Sequence, residues 1–103
     1  MHKNSEKFIA YEYPFDDKDI DIAYIEINGR YPEKGFAMNE NVKQIVLVID
    51  GQGKIVIDKK EYPIEEGDAV LILPNQKYFF EDNFKLAVSC NPAWNPAQNK
   101  TLE

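Results

Sequence analysis

A chain of 103 residues fits one domain, and its 44% apolar content supplies one hydrophobic core, which excludes a disordered chain. The formal net charge of -6 sets up a field that repels a phosphate backbone, and Lys59-Lys60 is too small a basic cluster to offset it, so nucleic acid is excluded as a partner. The polar start has no apolar segment behind it and no apolar run approaches the ~18 residues that span a bilayer, so we expect a cytoplasmic protein with no membrane partner.

Short runs rich in β-branched and aromatic residues, punctuated by turn chemistry, predict an all-β protein. Lys7 to Tyr13 is the first strand, ended by Pro14 and Asp16-Asp17. Asp19 to Asn28 is the second, ended by Gly29. Its apolar parity changes along the run: Ile20 and Ile22 share one face, while Ala23, Ile25 and Ile27 share the other. A β-bulge near Ala23 accounts for this, and so does burial of both faces. Arg30 follows, the single arginine of the chain. It is the one fork available for bidentate capture of an anion, unless it pairs with a carboxylate of its own fold. Tyr31 to Asn41 reads as a polar segment.

Lys43 to Ile49 is the third strand, and its five consecutive apolar residues leave no polar face. Such a strand is covered on both sides. One side is the barrel interior; the other needs a neighbouring segment or a second subunit, so we expect a homodimer. Asp50-Gly51-Gln52-Gly53 reads as a tight turn from which Lys54 to Asp58 returns. Lys59-Lys60 makes the next turn, and Glu61 to Ile64, with Pro63 inside it, reads as an edge strand. After the turn Glu65-Glu66-Gly67-Asp68 come Ala69 to Leu73, Lys77 to Glu81 and Phe84 to Cys90. About eight strands suit a jelly roll. Cys90 is the only cysteine, which rules out an intrachain disulfide and predicts a buried, inert thiol. The tail from Asn91 is turn-rich and reads as lying outside the strands, with Trp94 folding back to plug one end of the barrel or cover an exposed face. The domain thus spans residues 1–103, with a core at about 7–90 and a tail at 91–103 packing back on it.

The segment Val46-Leu47-Val48-Ile49-Asp50-Gly51 and the unit Gly67-Asp68-Ala69-Val70-Leu71-Ile72-Leu73-Pro74 together resemble the two core motifs of the cupin superfamily. The first has the form G-x5-H-x-H-x3,4-E-x6-G. Anchored on Gly51, it puts Gln44 in the glutamate slot and Met38 and Glu40 in the histidine slots, or Ala37 and Asn39 one residue earlier. The second, G-x5-P-x-G-x2-H-x3-N, anchored on Gly67, puts Leu73 in the proline slot with Pro74 beside it. Asn75 then takes the glycine slot, Tyr78 the histidine slot and Asp82 the final asparagine slot. Asn replaces Gly soundly where a left-handed backbone is needed. The resemblance covers roughly Ala23 to Cys90 and implies a double-stranded β-helix, the cupin jelly-roll barrel.

It also implies that the altered slots project into the barrel mouth: Met38, Glu40, Gln44 and Tyr78, or Ala37, Asn39, Gln44 and Tyr78. Most catalytic cupins hold a metal with histidines from these motifs, whereas the only histidine here is His2. One carboxylate, an amide and a phenol make a weak site, so no metal and no cofactor are expected. The favoured reading is a module that binds a small polar molecule, a sugar or a short carboxylic acid. Gln44 and Glu40 would hydrogen-bond it, Tyr78 and Phe80 would stack on it and Arg30 would pair an anionic group. Two alternatives stand beside it. One is a metal-independent sugar isomerase or epimerase with Tyr78 as acid and Glu40 as base. The other is a barrel filled by side chains and serving as a protein-interaction domain. No residue is assigned a catalytic role.

Overall fold

The structure, a computed structural model, describes residues 2–5, 8–13, 15–93 and 99–102, the first and last of these segments as backbone. The described residues fold into nine strands and no helix, so none is long and apolar enough to cross a membrane. The strands are β1 (His2–Ser5), β2 (Phe8–Glu12), β3 (Asp21–Tyr31), β4 (Phe36–Asn39), β5 (Lys43–Ile57), β6 (Lys60–Glu65), β7 (Ala69–Ile72), β8 (Tyr78–Asn91) and β9 (Asn99–Leu102). All pair antiparallel.

Strand β8 is the spine. On one side it pairs with β3 from Asp21↔Cys90 to Tyr31↔Phe80. On the other it pairs with β5 from Lys43↔Asn91 to Ile57↔Tyr78. Beyond β3 lie β2 and then β1. Beyond β5 lie β7, along Gln44 to Leu47, and β6, along Gln52 to Ile57. Strand β4 touches β8 at Ala37↔Tyr78 and pairs with β9 along Phe36 to Asn39. The sheet rolls up because its long strands alternate, with most residues of one parity apolar and facing inward. Ile27, Val46, Val48, Ile55, Leu86 and Val88 meet in the core. Leu86 is fully buried, and its truncation to Ala should cost about 2–5 kcal/mol.

Several sequence expectations need correction. Asp50-Gly51-Gln52-Gly53 is not a reversal, since Lys43 to Ile57 is one continuous strand. Nor does Phe84 begin a new strand after Glu81, because β8 runs unbroken through Asp82 and Asn83. The two long strands instead bend together. A register shift lies between Val48 and Asp50, and Gly51 and Asp82 both take φ +95 at the corner. Gly51 sits so close to β8 that a Cβ there would overlap the Asn83 carbonyl oxygen. Glycine therefore serves close approach here rather than a hairpin. The second turn of this region lies one residue earlier than expected, at Asp58 (φ +48) and Lys59 (φ +71), the left-handed pair of a type I′ hairpin. The polar segment after Tyr31 contains β4, and the tail ends in β9. Trp94 lies outside the described residues.

Other expectations hold. Strand β6, carrying Pro63, pairs with β5 alone among the described strands and is an edge. Asn75 adopts φ +67, the left-handed conformation its side chain tolerates. The faces of β3 and β5 resolve differently. No register shift interrupts β3 against β8, so Ala23 carries no bulge there. Ala23, Ile25 and Ile27 line the interior, while Ile20 and Ile22 are exposed, Ile22 at the rim of the cavity. On β5, Val46 and Val48 are buried while Ile45, Leu47 and Ile49 are exposed. Between Ile45 and Ile49 strand β5 buries one face only, whereas at its far end Ile55, Val56 and Ile57 are all buried and both faces are covered.

Candidate functional site

The inward faces of β2, β3, β5 and β8 enclose a cavity of about 670 Å³. Ala10, Ile25, Ile27, Val46, Leu86 and Val88 form its apolar walls. Aromatic rings are added by Phe8, stacked on Tyr31 at 4.2 Å between centroids, and by Tyr78, edge-on to Phe80 at 5.9 Å. Four of the exposed lining residues, Glu12, Tyr13, Phe15 and Asp17, mark the mouth. They sit at the end of β2 and on the loop that leads to β3. Asp17 folds that loop: its Oδ1 accepts the backbone N–H groups of Asp19 at 2.7 Å and Ile20 at 3.2 Å. The Asn91 side chain ties the loop to the end of β8 by donating to the Asp19 carbonyl, and Ala93 N–H donates to the Lys18 carbonyl.

Polar groups enter this apolar space at a few points. One is a cross-strand row, Asp21–Cys90–Gln44, fixed by the registers of β3, β8 and β5. Gln44 is 8% exposed, and its Nε2 donates to Cys90 Sγ at 3.7 Å. Asp21 Oδ1 accepts the Cys90 backbone N–H at 3.2 Å. The second point is the Tyr78 hydroxyl, which accepts from Asn39 Nδ2 at 3.5 Å and is also hydrogen-bonded by Gln44. Burial pushes the Cys90 thiol up to about 12 and the Tyr78 phenol well above its ordinary range. Both groups are neutral at physiological pH. Beside the Asp21 carboxylate, the cavity therefore offers an uncharged amide, phenol and thiol framed by aromatic rings.

The residues singled out from sequence separate into two groups. Gln44, Tyr78 and Phe80 line the cavity together. Arg30, Met38 and Glu40 are not among its lining residues. Arg30 donates to the carbonyls of Pro32 at 2.8 Å and Gly35 at 2.9 Å, and its guanidinium lies 4.0 Å over the Phe79 ring. That fork braces the turn into β4. Along β4 burial alternates so that Ala37 and Asn39 point inward while Met38 is half-buried, and Glu40 just beyond the strand is exposed. The inward register is the earlier of the two, and it brings Asn39 to Tyr78.

Sequence reasoning passed over Phe8, Glu12, Asp21, Tyr31 and Cys90 as lining residues. The signal was present as strand alternation. Phe8, Ala10 and Glu12 share one face of β2, and Asp21 shares the face of Ala23, Ile25 and Ile27 on β3. The donor set does not fit a transition metal. It has amide and phenol oxygens, a protonated thiol and the single Asp21 carboxylate, and no group of three His, Cys, Asp or Glu gathers among the described residues. A larger groove of about 920 Å³ lies where β5 and β6 meet, beside Gly51, Pro63 and Asp82. Its lining is mostly exposed, and its Asp68 carboxylate already accepts the Glu65 N–H at 2.8 Å.

Comparison with known proteins follows this geometry. No curated protein matches the sequence. Among solved structures, a variant of Streptomyces PAC13 with uridine superposes with a TM-score of 0.88 at 15% identity, covering 98% of this chain and 82% of that one. PAC13 is described as a nucleoside dehydratase. KdgF from Halomonas sp. superposes at 0.77 with 12% identity, over 93% of this chain and 88% of that one. Salicylate 1,2-dioxygenase from Pseudoaminobacter salicylatoxidans superposes at 0.74 with 14% identity, over 86% of this chain and 26% of that one. At these identities the likeness establishes the cupin jelly-roll fold. Residues 27–87, more than half of the chain, match the AraC-like ligand binding domain, and the protein belongs to that family of cupin-fold domains.

Proposed function

We propose that this protein binds a small, polar organic molecule inside its barrel. The carrying observation is that the 670 Å³ interior is a cavity rather than a filled core, with Gln44 and Tyr78 converging in it between aromatic walls. That volume falls in the range of ordinary small-molecule sites. Aromatic rings favour a ligand with a flat or apolar face, and the amide and phenol favour one with hydroxyl, carbonyl or amide groups. The PAC13 structure with uridine supports this class, since uridine is a planar heterocycle joined to a sugar. A carboxylic acid is a poorer fit than a sugar, because Arg30 is committed to backbone carbonyls outside the cavity. Binding is favoured over turnover: Glu40 is exposed and away from Tyr78's cavity, and a phenol held so firmly protonated is a weak acid. We place the protein in the cytoplasm, where a lone thiol stays reduced.

A thermal-shift screen of nucleosides, free sugars and sugar acids tests the reading. A hit whose stabilisation rises with concentration, and is lost in Gln44→Leu, supports it. A protein that no compound stabilises, or hits unaffected by Gln44→Leu, defeats it.

We also propose that a second copy of the chain covers the outer face of the sheet. Ile22, Ser89, Ile45 and Leu71 form one cross-strand row on that face, and Tyr24, Ala87, Leu47 and Ala69 form the next. Ile22, Ile45, Leu47, Ile49, Leu71 and Leu73 are each about half exposed. Their combined area, roughly 500 Å², is at the upper end of what a monomer presents. With its rim it approaches the ~800 Å² per partner of a standard interface. Most of the face lies on the side of β3, β8 and β5 away from the cavity, and Ile22, which also borders the cavity, stands where the two meet.

A further inference from the structure

Charge at the mouth extends the reading just given, on which this inference rests. Every charged side chain that lines the cavity among the described residues is acidic: Glu12, Asp17 and Asp21. They come from three separate elements, the end of β2, the loop and the start of β3. No lysine or arginine lines the cavity among the described residues, and the only arginine of the chain is committed elsewhere. Beside the carboxylates stand two exposed rings, Tyr13 and Phe15, at 49% and 62% exposure. Carboxylates next to aromatic faces are the two partners an organic cation seeks, one by direct pairing and the other through the ring quadrupole. The interior differs. Past Asp21, the Gln44 amide and the Tyr78 phenol are uncharged, and the Tyr78 hydroxyl receives N–H donors from Asn39 and Gln44, which leaves its own hydrogen to be given to a ligand oxygen.

We propose that the cavity discriminates by charge: its ligand has an uncharged, oxygen-bearing end that reaches Tyr78 and Gln44, and a positively charged amine that rests at the mouth against Glu12, Asp17, Tyr13 and Phe15. Anionic counterparts such as carboxylates and phosphate esters are refused twice, by the local carboxylates and by the net charge of -6. The mouth therefore sets which small molecules enter, while the interior sets their shape.

The test is a charge-matched series. Uridine, its 5′-amino-5′-deoxy analogue and uridine 5′-phosphate share one scaffold, and a fragment set of equal numbers of aryl amines, aryl alcohols and aryl carboxylates removes dependence on it. Titrations are run on the full chain at low and at physiological salt. The expected result is amines binding at least ten-fold more tightly than their alcohols, carboxylates and phosphates weakest, and the amine advantage shrinking as salt rises. Glu12→Gln, at an exposed strand end, should lower amine affinity about five-fold, and Glu12→Lys should raise the affinity of carboxylates. Hits spread evenly over the three charge classes, or led by anions, overturn the charge proposal and leave the binding reading standing. No hit in any class overturns both.

Discussion

Tyr78 shows what one position in this chain can decide. Its ring packs edge-on to Phe80, so the ring belongs to the core, while its hydroxyl faces the cavity. Tyr78→Phe keeps the ring and removes the hydroxyl. We expect the variant to fold normally by circular dichroism and to bind a ligand found by screening about five- to ten-fold more weakly, the worth of one buried hydrogen bond. Calorimetric titration of both proteins measures it. Tyr78 and Cys90 also make stability depend on alkaline pH. An unfolded thiol ionises near its ordinary value of 9.0 and an unfolded phenol near 10.0, but burial raises both in the folded protein. The folded state therefore binds more protons than the unfolded state once the pH passes about 9. The contribution of these groups is complete below that point and is lost as pH rises. Melting temperature should decline from about pH 9 upward, and Cys90→Ala should flatten the first part of that decline.

At the scale of elements, Gly51 inside β5 and Gly67 in the turn between β6 and β7 meet different needs. Gly51 has a left-handed φ and no room for a Cβ against β8. Gly67 has a similar φ of +91 but open space around it. Alanine at Gly67 should cost only the conformational penalty, about 1–2 kcal/mol. Alanine at Gly51 adds a backbone collision that pushes β5 away from β8, and the loss should exceed about 3 kcal/mol. Urea denaturation of the two variants ranks them; equal losses would mean the corner can relax. The same corner explains why the sequence was misleading there. Asp-Gly-Gln-Gly between two apolar runs carries the chemistry of a hairpin, and a bulged bend uses the same glycines. What separates them is whether a partner strand continues alongside, and that partner, β8, lies some thirty residues downstream. Local chemistry cannot report it. By contrast, Pro63 at an edge and Asn75 in a left-handed turn were legible, because each follows from the residue's own backbone preference. The interior positions of Gln44 and Tyr78 were legible through the motif slots. Arg30 was not, since its partners are carbonyls, which every residue offers.

For the molecule as a whole, the proposed pairing through the outer aliphatic face has a direct readout in solution. Two copies meeting through Ile45, Leu47 and Leu71 should sediment as a dimer at micromolar concentration. Leu71→Lys, at an exposed position that leaves the core intact, should shift sedimentation to the monomer without lowering the melting temperature of the isolated chain by more than about 1 kcal/mol equivalent. Wild-type protein that sediments as a monomer would instead assign the face to another occupant. A second copy on this face would also account for the run of apolar residues from Ile45 to Ile49, with one parity toward the interior and the other toward that copy.

The spine position of β8 carries a consequence for synthesis. Its two neighbours, β3 and β5, are made well before it, and each exposes a long bare edge until Tyr78 to Asn91 arrives between them. A nascent chain on the ribosome can pair β2 with β3 and β5 with β6 and β7, but among the described strands β8 is the one that joins these two halves, so the barrel closes only when it arrives. During that interval the aliphatic strand around Ile45 is the stretch most open to capture by a chaperone or by another nascent copy.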